Sequence, residues 1–390
     1  MRISLVTDTY LPEINGVTTV LARMRDGLLA RGHAVQVIAP RYPMPGPDEA
    51  GVVRRPSIPC PGYANVRLSW PASPRVTRSL RDFAPDLVHA VTEGPLGAIG
   101  RRWALRQGLP LVTSFHTDFP RYAARYLGTW AVPLVKRHLQ GFHQPAVHTQ
   151  TPSAATRAEL LGLGVPRPVV WGRGVDADLF TPAQRSDVRR REAGVGDRLL
   201  LLHVGRLAVE KDVDTLVAAF RLVHERLGDR VAFAVAGDGP RRAAVHEGLP
   251  FARHHGFLQR NTLASLYADA DLFVFPSPTE TCGLVALEAM SAGLPVIASD
   301  QGGVQENVRT GLNGLLVPAG NVEAFAEAIE WLCRDASQRE AMAQAARAFA
   351  VARDWERELD ALVPLYEAAL AIRTEEQPAP AVIPLPGRPG

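Results

Sequence analysis

Two glutamates, Glu280 and Glu288, stand in the segment FPSPTETCGLVALEAMSAGLPVIAS with seven residues between them. The pattern predicts a buried strand at 271–277 and then a helix that ends at Gly293, with both carboxylates near the helix start. If both residues were helical, their Cα atoms would be about 12 Å apart, whereas the carboxyl pair of a retaining glycosidase needs about 5 Å. The spacing suits two carboxylates that bind the two ends of an extended, hydroxyl-rich ligand across a helix N-terminus, which itself favours phosphate. Two solvated glutamates on an amphipathic helix are the alternative.

A pair of cations follows another predicted strand. Arg206 comes directly after the strand RLLLLHV, and Lys211 stands at the first turn of the next helix. Ligands of open α/β sheets bind beyond the carboxyl ends of the strands, so the two cations are placed to clamp a diphosphate. The alternative is a surface salt-bridge cluster with Glu210 and Asp212. The chain has only two lysines among its 43 basic residues, which favours a function for Lys211.

Polar residues also mark two strand ends in the first half of the chain. Asp8 ends the first strand, and Asn15-Gly16 opens the next helix, where a glycine lets a ligand approach the helix N-terminus. His116 and Asp118 follow the strand LVTSF, although a single histidine at such a place more often has a structural role. No HExxH, CxxC or GxSxG motif occurs, so zinc hydrolysis and serine-triad chemistry have no support.

Composition indicates a globular chain of two domains. It has 390 residues, 46% of them apolar, and no apolar run approaches the length of a membrane span. The N-terminal segment meets a charge at Asp8, so no signal peptide is expected. The three cysteines, Cys60, Cys282 and Cys333, are scattered. We therefore expect a reduced, cytoplasmic chain without a disulfide framework or a zinc site.

Charge is distributed unevenly along the chain. Residues 1–175 hold 21 basic against 10 acidic residues, a net charge of +11, while residues 176–390 have a net charge of −8. The first half therefore predicts an anionic partner, either nucleic acid or an acidic membrane surface, with an ordinary arginine-rich surface as the alternative. A membrane surface is favoured because basic and apolar residues mix in a loop-rich stretch. They are Arg54, Arg55, Arg67, Arg75, Arg78 and Arg81, beside Val66, Leu68 and Trp70.

Strands alternate with helices of 10–15 residues throughout both halves, which predicts parallel sheets with helices on both faces. Two such arrays indicate two Rossmann-like domains, with a boundary in the turn-rich segment 171–186. Residues 40–75 are rich in Pro and Gly and are expected to be mostly loop. The last helix is long and amphipathic, and the Pro-rich tail after it, residues 374–390, is expected to be disordered.

Eight segments give the chain a family resemblance. They are TDTYLPEINGV, SFHTDFPRYAARY, TPSAATRAEL, RGVDADLFTP, VGRLAVEKDVDTLVAAF, VAGDGP, ETCGLVALEAMSAGLPVIASDQGG and ENVRTGLNGLLVP. Their order resembles that of the family-4 retaining glycosyltransferases over about residues 1–372. The first three segments look most like GDP-mannose-dependent α-mannosyltransferases of glycolipid synthesis and their sulfoquinovosyl-diacylglycerol synthase relatives. The resemblance implies a GT-B fold, an α/β architecture of two Rossmann-like domains facing across a cleft. It assigns residues 1–175 to an acceptor domain, 176–355 to a donor domain, and 356–373 to a helix that crosses back to the first domain.

The resemblance also implies roles for individual residues. Arg206 and Lys211 would hold the donor diphosphate with backbone amides, Glu280 the transferred sugar and Glu288 the ribose, while His116 would line the reaction centre. Catalysis is thereby assigned to His116, Arg206, Lys211 and Glu280. Donor binding is assigned to Gly16, Gly205, Arg206, Lys211, Leu258, Glu280, Cys282, Gly283, Leu284 and Glu288. Acceptor binding is assigned to Asp8, Tyr10, Asn15, Asp118 and Tyr122. The chain has Thr281-Cys282 where relatives often carry Ser-Phe, which puts the shape of the sugar pocket in doubt.

The implied reaction moves a hexose, with mannose from GDP-mannose expected, to a lipid or polyol acceptor with retention at the anomeric carbon. The nucleotide sugar is a co-substrate, and no cofactor, metal or nucleic acid is expected. The protein would work in the cytoplasm, peripheral to the inner face of the cell membrane. A transferase that uses UDP-sugars to make diacylglycerol-type lipids is an alternative, as is a non-catalytic sugar-nucleotide-binding module. A nicotinamide oxidoreductase is disfavoured because no GxGxxG follows the first strand.

Overall fold

A computed structural model describes residues 1–43, 50–60, 63–69 and 73–376 of the chain. Trp70 and residues 377–390 of the expected disordered tail lie outside these residues. Within them, no helix combines the length and the apolar character needed to cross a membrane.

The first half of the chain forms a seven-stranded sheet with the order β3-β2-β1-β6-β7-β8-β9. The strand order reverses between β1 and β6, and β1 pairs in parallel with both β2 and β6. A separate antiparallel pair is formed by β4 and β5. The elements are β1 (Arg2–Val6), α1 (Gly16–Ala30), β2 (Ala34–Pro40), β3 (Val52–Arg55), β4 (Ser57–Cys60), β5 (Tyr63–Ser69), α2 (Ser73–Phe83), β6 (Leu87–Ala90), α3 (Pro95–Arg106), β7 (Leu111–Ser114), α4 (Phe119–Tyr126), α5 (Val132–His143), β8 (His148–Thr151), α6 (Ala154–Gly162) and β9 (Pro168–Val170).

The second half forms a six-stranded, fully parallel sheet with the order β12-β11-β10-β13-β14-β15. This is the 3-2-1-4-5-6 order of the dinucleotide-binding folds, and its switch point lies between β10 and β13. The elements are α7 (Asp187–Glu192), β10 (Leu199–Val204), α8 (Val213–Leu227), β11 (Val231–Ala236), α9 (Arg242–Gly248), β12 (Arg253–Gly256), α10 (Arg260–Asp269), β13 (Leu272–Phe275), α11 (Leu284–Ser291), β14 (Val296–Ser299), β15 (Gly314–Val317), α12 (Val322–Arg334), α13 (Ala336–Val351) and α14 (Trp355–Glu376).

The central strand β10 shows why the second half folds in this way. Leu200 and Leu202 point into the core on one face of the sheet, while Leu201 points into the core on the other face. A strand that buries both faces is typical of a parallel sheet covered by helices on both sides. The two sheets confirm the predicted α/β class with two Rossmann-like halves.

Contact density divides the chain into two compact units. The first unit consists of Met1–Ser114, Phe142–Thr149 and the described residues from Asp360 onwards; the second consists of Phe115–Gly141 and Gln150–Leu359. Helix α14 therefore begins in the second unit and continues in the first, as predicted for a helix that crosses back. Within the first unit, Tyr366 of this helix contacts His89 Nδ1 through its hydroxyl at 2.8 Å. The predicted domain bounds at residues 175 and 355 stay predictions.

The expectation that residues 40–75 are mostly loop is wrong for part of that stretch. It contains the strands β3, β4 and β5, and β3 adds to the sheet beside β2. Its partner strand β2 ends at Pro40, where the stretch begins, but the Pro and Gly content of the intervening residues gave no sign that β3 returns to pair with β2. Val52 and Val53 are the β-branched residues that suit such an edge strand.

Candidate active site

At the switch point of the second sheet, the loops that follow β10 and β11 pack directly against each other. Gly205, after β10, donates its amide to the carbonyl of Ala236 at 3.0 Å. Gly237 has a φ of +135°, and a Cβ there would stand 1.8 Å from the Gly205 carbonyl oxygen. The two strand-end loops therefore pack backbone against backbone, and Arg206 follows directly in this segment, at the edge of the sheet where ligands bind.

Lys211 and Glu280 meet at this edge. Lys211 ends a 3-10 turn (Val209–Lys211), and Asp212 follows it with a φ of +51° before α8 begins. The Lys211 ammonium forms an ion pair with Glu280 Oε1, which also accepts a hydrogen bond from Ser277 Oγ at 3.1 Å. The side chains of Lys211 and Glu280 are only 17% and 15% exposed. A cation for phosphate and a carboxylate for hydroxyl groups thus stand side by side.

The alternative of a surface cluster around Lys211 is wrong. Glu210 is fully buried, and its Oε2 accepts a hydrogen bond from the Tyr126 hydroxyl at 2.5 Å. Its backbone carbonyl accepts another from Thr279 Oγ1 at 2.9 Å. Burial therefore removes Glu210 from the surface, and Glu280 takes the place of partner to Lys211.

A pair of glycines after β14 fixes the segment that carries Glu280. The amide of Gly303 donates to the Glu280 carbonyl at 2.6 Å. Gly302 has a φ of +77°, and a Cβ there would stand 2.7 Å from the same carbonyl oxygen, while one on Gly303 would stand 2.0 Å from the carbonyl oxygen of Thr281. The close approach requires glycine at both positions, and it fixes the backbone from which the Glu280 side chain extends.

Helix α11 begins directly beside this segment. Its N-cap is Gly283, with a φ of +77°, and Leu284 is its first residue. Glu280 lies before the helix, so the separation calculated for two helical glutamates does not apply. Leu258, assigned to the donor base, is partly buried against the core of the same sheet.

Glu288 lies one turn into α11, and its carboxyl group is shielded from solvent. Its Oε2 accepts a hydrogen bond from the Tyr267 hydroxyl at 3.4 Å. Burial raises the pKa of Glu288 to about 7, and the charge of Arg260 opposes that rise. Near neutral pH both protonation states of this carboxyl are therefore populated, and it can accept hydrogen bonds from hydroxyl groups or donate one to them.

His203 is a residue of this region that the motif analysis missed. It is fully buried near the end of β10, and its Nδ1 lies 2.9 Å from the carbonyl oxygen of Val274. Burial, together with the charge of Lys211, lowers the pKa of His203 to about 4. A Cβ on Gly205 would stand 3.3 Å from His203 Nε2, which has no hydrogen-bond partner among the described residues. A neutral imidazole therefore lies directly beneath the switch point.

The segment of His116 is attached to the Glu280 segment. Thr281 Oγ1 donates to the His116 carbonyl at 2.9 Å. The buried guanidinium of Arg173 lies 3.4 Å from His116 Nδ1 and stacks on Trp171, and burial lowers its pKa to about 10. Cys282 is buried as well, and burial raises the pKa of its thiol to about 11, so the thiol stays neutral near pH 7.

Asp118 and Tyr122, assigned to the acceptor, lie at and in α4 of the second unit. Asp118 caps the helix by accepting the amide of Arg121 at 3.0 Å, and its other oxygen pairs with the Arg121 guanidinium at 2.9 Å. Burial raises the pKa of Asp118. Tyr122 is half-buried with its ring centroid 6.3 Å from that of Tyr126. Asp118 thus has a structural role already, and binding of an acceptor stays a prediction for both residues.

Asp8 in the first unit is likewise a helix cap. Its oxygens accept the amides of Leu96 at 2.9 Å and Gly97 at 3.3 Å at the start of α3, and the hydroxyl of Thr92 at 2.8 Å. Burial raises its pKa to about 6. The carboxylate therefore fixes the end of β1 against α3, a role that the strand-end pattern did not distinguish from ligand binding.

Gly16 opens α1, which is capped by Asn15. The Asn15 side chain accepts the amide of Thr18 at 2.9 Å, and the Thr18 hydroxyl accepts the amide of Asn15 at 2.9 Å. Gly16 itself is exposed, so the helix N-terminus is open to an anion. Tyr10 is fully buried with the guanidinium of Arg54 above its ring. The roles of these first-unit residues in binding donor or acceptor stay predictions.

The structure thus assembles Lys211, Glu280 and the His116 segment through direct contacts in one unit. Within the described residues, no group of three or more His, Cys, Asp or Glu side chains is arranged to hold a metal ion. Whether the reaction uses a metal stays a prediction.

Comparison with known proteins fits this geometry. Residues 14–179 match the family model described as Glycosyltransferase Family 4, and residues 184–349 match that of Glycosyl transferases group 1. A GDP-mannose-dependent alpha-mannosyltransferase of Mycobacterium tuberculosis is 35% identical over 96% of this chain and 99% of its own. A sulfoquinovosyl transferase of Arabidopsis thaliana is 36% identical over 78% of this chain and 61% of its own.

A solved structure shows the same fold. Sucrose-phosphate synthase from Thermosynechococcus elongatus is similar with a TM-score of 0.79 at 22% identity, over 95% of this chain and 99% of that one. The predicted resemblance, including its narrower part, is confirmed, and so is the GT-B fold. The chain belongs to the family-4 glycosyltransferases and is a hexosyltransferase.

Proposed function

We propose that this enzyme transfers mannose from GDP-mannose, with retention at the anomeric carbon and without a metal ion, to a lipid or polyol acceptor at the inner face of the cell membrane. The observation that carries the proposal is the Lys211–Glu280 pair at the switch point of the second sheet. The name of the mannosyltransferase that matches nearly the whole chain supports GDP-mannose as the donor. The resemblance to glycolipid-synthesising enzymes supports the acceptor class.

The positive groups at this edge suit a nucleoside diphosphate. In the proposed complex Arg206 and Lys211 contact the diphosphate, joined by the amides of Gly283 and Leu284 at the start of α11. These donors are fixed before the ligand arrives, because Gly205 and Gly283 belong to tightly packed segments. Fixed donors stabilise charge that develops on a leaving group, which is commonly the largest contribution to catalysis.

The carboxyl groups suit the two sugars of the donor. Glu280 accepts hydrogen bonds from hydroxyl groups of the mannose, and Glu288 from those of the ribose, while the backbone near Leu258 meets the base. Glu280 can reorganise from Lys211 towards the sugar when the diphosphate takes over the ammonium. Ser277 keeps one oxygen of Glu280 oriented in the meantime.

The proposed reaction breaks the bond between the anomeric carbon and the diphosphate oxygen and forms one to an acceptor hydroxyl oxygen on the same face of the sugar. A diphosphate oxygen takes the proton of that hydroxyl. His116 lies near the sugar in this arrangement, and Asp118 and Tyr122 are the residues of the same unit that are proposed to bind the acceptor. GDP leaves with Arg206 and Lys211 neutralising its charge.

A direct assay tests the proposal. The purified protein is incubated with GDP-mannose or one of a panel of UDP-sugars as donor, and with a diacylglycerol-type lipid or a polyol as acceptor. EDTA is present in each reaction. NMR then measures the release of the nucleotide and the anomeric configuration of the product. We expect GDP release that depends on the acceptor and an α-linked product. Use of a UDP-sugar alone would move the chain to the alternative donor class. Binding of nucleotide sugar without any transfer or hydrolysis would indicate a non-catalytic module.

A further inference from the structure

Exposed apolar side chains are concentrated in one short segment of the second unit. Among the described residues, five of the 17 exposed large hydrophobic side chains fall within residues 119–134. The three most exposed are Trp130 at 68%, Leu134 at 62% and Leu127 at 59%. Scattered single exposed hydrophobics are ordinary, whereas a contiguous group marks an interaction surface. We call residues 119–138 the α4–α5 face.

The fold holds this face in place. Leu139, on the inner side of α5, is buried with Phe115, Leu160 and Val165. Because the inner side of α5 is packed, Leu134 and its neighbours on the other side stay in solvent. Gly128 precedes the exposed indole of Trp130 with a φ of +97°, and a Cβ there would come within 3.2 Å of that indole. The exposed side chains therefore belong to an ordered surface.

The charges around the face have one sign. Residues 119–158 contain no Asp or Glu, although the whole chain has 40 acidic residues in 390. Arg121 and Arg125 lie in α4, and the exposed Lys136 and Arg137 lie in α5. Asp118, at the edge, is buried and paired with Arg121, and Glu159 is near Lys136. The face therefore offers apolar and aromatic groups surrounded by cations.

The structure favours this face over the stretch that the sequence singled out for membranes. There, Arg54 donates to the carbonyl of Pro40, Arg55 to that of Arg75 and Arg67 to that of Ser57. Trp70 lies outside the described residues. Three of the arginines expected to meet lipid thus make hydrogen bonds within the protein. Arg121 and Arg125 do so as well, so the cations that the α4–α5 face offers to a membrane are the exposed Lys136 and Arg137.

We propose that the α4–α5 face is the surface by which this enzyme docks on an anionic lipid bilayer. Tryptophan and leucine enter the interfacial region of a bilayer, and lysine and arginine attract anionic headgroups. The absence of acidic residues in this segment matches a negatively charged surface and disfavours a partner that needs anions on this side. The inference deepens the proposed function, because it names the surface through which a lipid acceptor would be reached.

The α4–α5 face is connected to the proposed donor site by hydrogen bonds. Arg125 donates to the carbonyl of Val209 at 2.8 Å, and the Tyr126 hydroxyl donates to Glu210 at 2.5 Å, directly before Lys211. Arg121 donates to the carbonyl of Pro278 at 2.7 Å, two residues before Glu280. Helix α4 is therefore attached to both segments that carry the Lys211–Glu280 pair.

Vesicle co-sedimentation of the full chain tests the proposal, with neutral phosphatidylcholine vesicles and with vesicles that also contain phosphatidylglycerol. Removing two basic residues near a membrane costs about a factor of thirty in partitioning, so Lys136→Ala/Arg137→Ala is expected to lose about that much on anionic vesicles. Trp130→Ser/Leu134→Ser is expected to lose about tenfold or more on the same vesicles. The matched controls are Arg191→Ala and Leu312→Ser, which alter an exposed cation and an exposed leucine elsewhere in the second unit.

Two further readouts separate the possible failures. Hydrolysis of GDP-mannose in the absence of vesicles should be equal in the wild type and all four variants, which shows that they are folded. Equal partitioning of all variants, or losses that are as large in the controls, would overturn the proposal. A change of oligomeric state on mutating the face would assign it to a second copy of the chain instead. The protein could also bind anionic vesicles through this face, with binding lost in the face variants, but neither transfer nor hydrolyse any sugar nucleotide. That result would support the docking surface and refute the proposed function.

Discussion

Replacement of Lys211 by Met separates a catalytic role from a merely structural one. The substitution keeps the volume of the side chain and removes its charge. Glu280 then loses its cation and keeps only the hydrogen bond from Ser277. Breaking a fully buried ion pair by removing one partner costs about 3–5 kcal/mol. Because both side chains retain 15–17% of their exposure, we expect a smaller loss of about 1–3 kcal/mol in the free energy of unfolding.

Activity should fall much further than stability. Removing one preorganised donor of a developing anion typically lowers kcat by about 10²–10³. We expect a decrease of that size in kcat/KM for Lys211→Met, measured by GDP release at a temperature where the variant is fully folded. Glu280→Gln should lower kcat/KM as well, and the double variant should recover part of the lost stability but none of the activity.

Arg185 provides the matched control. It forms an ion pair with Asp271 at 2.7 Å in the same unit, and its side chain is 39% exposed. Arg185→Met should lower stability by an amount up to that of Lys211→Met while leaving kcat/KM within about twofold of the wild type, since it removes no proposed donor contact. Near-normal turnover in Lys211→Met, or an equal loss in Arg185→Met, would refute the donor-site reasoning.

Three further predictions follow from the same geometry. Burial raises the pKa of Glu288 from 4.5 to about 7, so the stability that its neutral form contributes is present below pH 4.5 and is lost as the pH rises through 7. Glu288→Gln should remove this pH-dependent loss of stability, which amounts to a few kcal/mol at most because one pKa unit equals about 1.4 kcal/mol. If the urea midpoint of the variant fell between pH 4 and pH 8 as much as that of the wild type, the assignment would be contradicted. Tyr126→Phe removes the hydroxyl that donates to the buried side chain of Glu210, so we expect the free energy of unfolding to fall by about 1–3 kcal/mol and kcat/KM to fall with it; wild-type stability and turnover in this variant would contradict the reasoning. Transfer should continue in EDTA, and loss of activity that Mg²⁺ or Mn²⁺ restores would show that the reaction uses a metal.

The place of the proposed donor residues in the fold was predictable because parallel sheets place ligands at one edge. The apolar strands at 199–204 and 272–275 and the residues just after them identify Arg206, Lys211 and Glu280 without any tertiary information. The same reasoning was less able to interpret Asp8 and Asp118. Both follow strands, yet both carboxylates cap helices, α3 and α4, and only the position of those helices reveals it.

Other features depend on contacts between residues that are distant in the sequence. His203 looks like one more residue of an apolar strand, and its proximity to Gly205 and to the Val274 carbonyl of β13 is visible only in the folded chain. The segment SDQGG contains Gly302 and Gly303, but their close approach to Glu280 and Thr281 is visible only in the folded chain. The burial of Glu210 likewise depends on Tyr126, 84 residues away.

The central claim is that the edge between β10 and β13 holds a nucleotide sugar, with Glu280 on the sugar and Lys211 on the diphosphate. Calorimetric titration of GDP and of GDP-mannose into the wild type and Glu280→Ala tests it most directly. The account predicts that the wild type binds GDP-mannose more tightly than GDP, and that Glu280→Ala abolishes this difference while still binding GDP. Equal affinities of the two ligands in the wild type, or an unchanged preference for GDP-mannose in the variant, would contradict it.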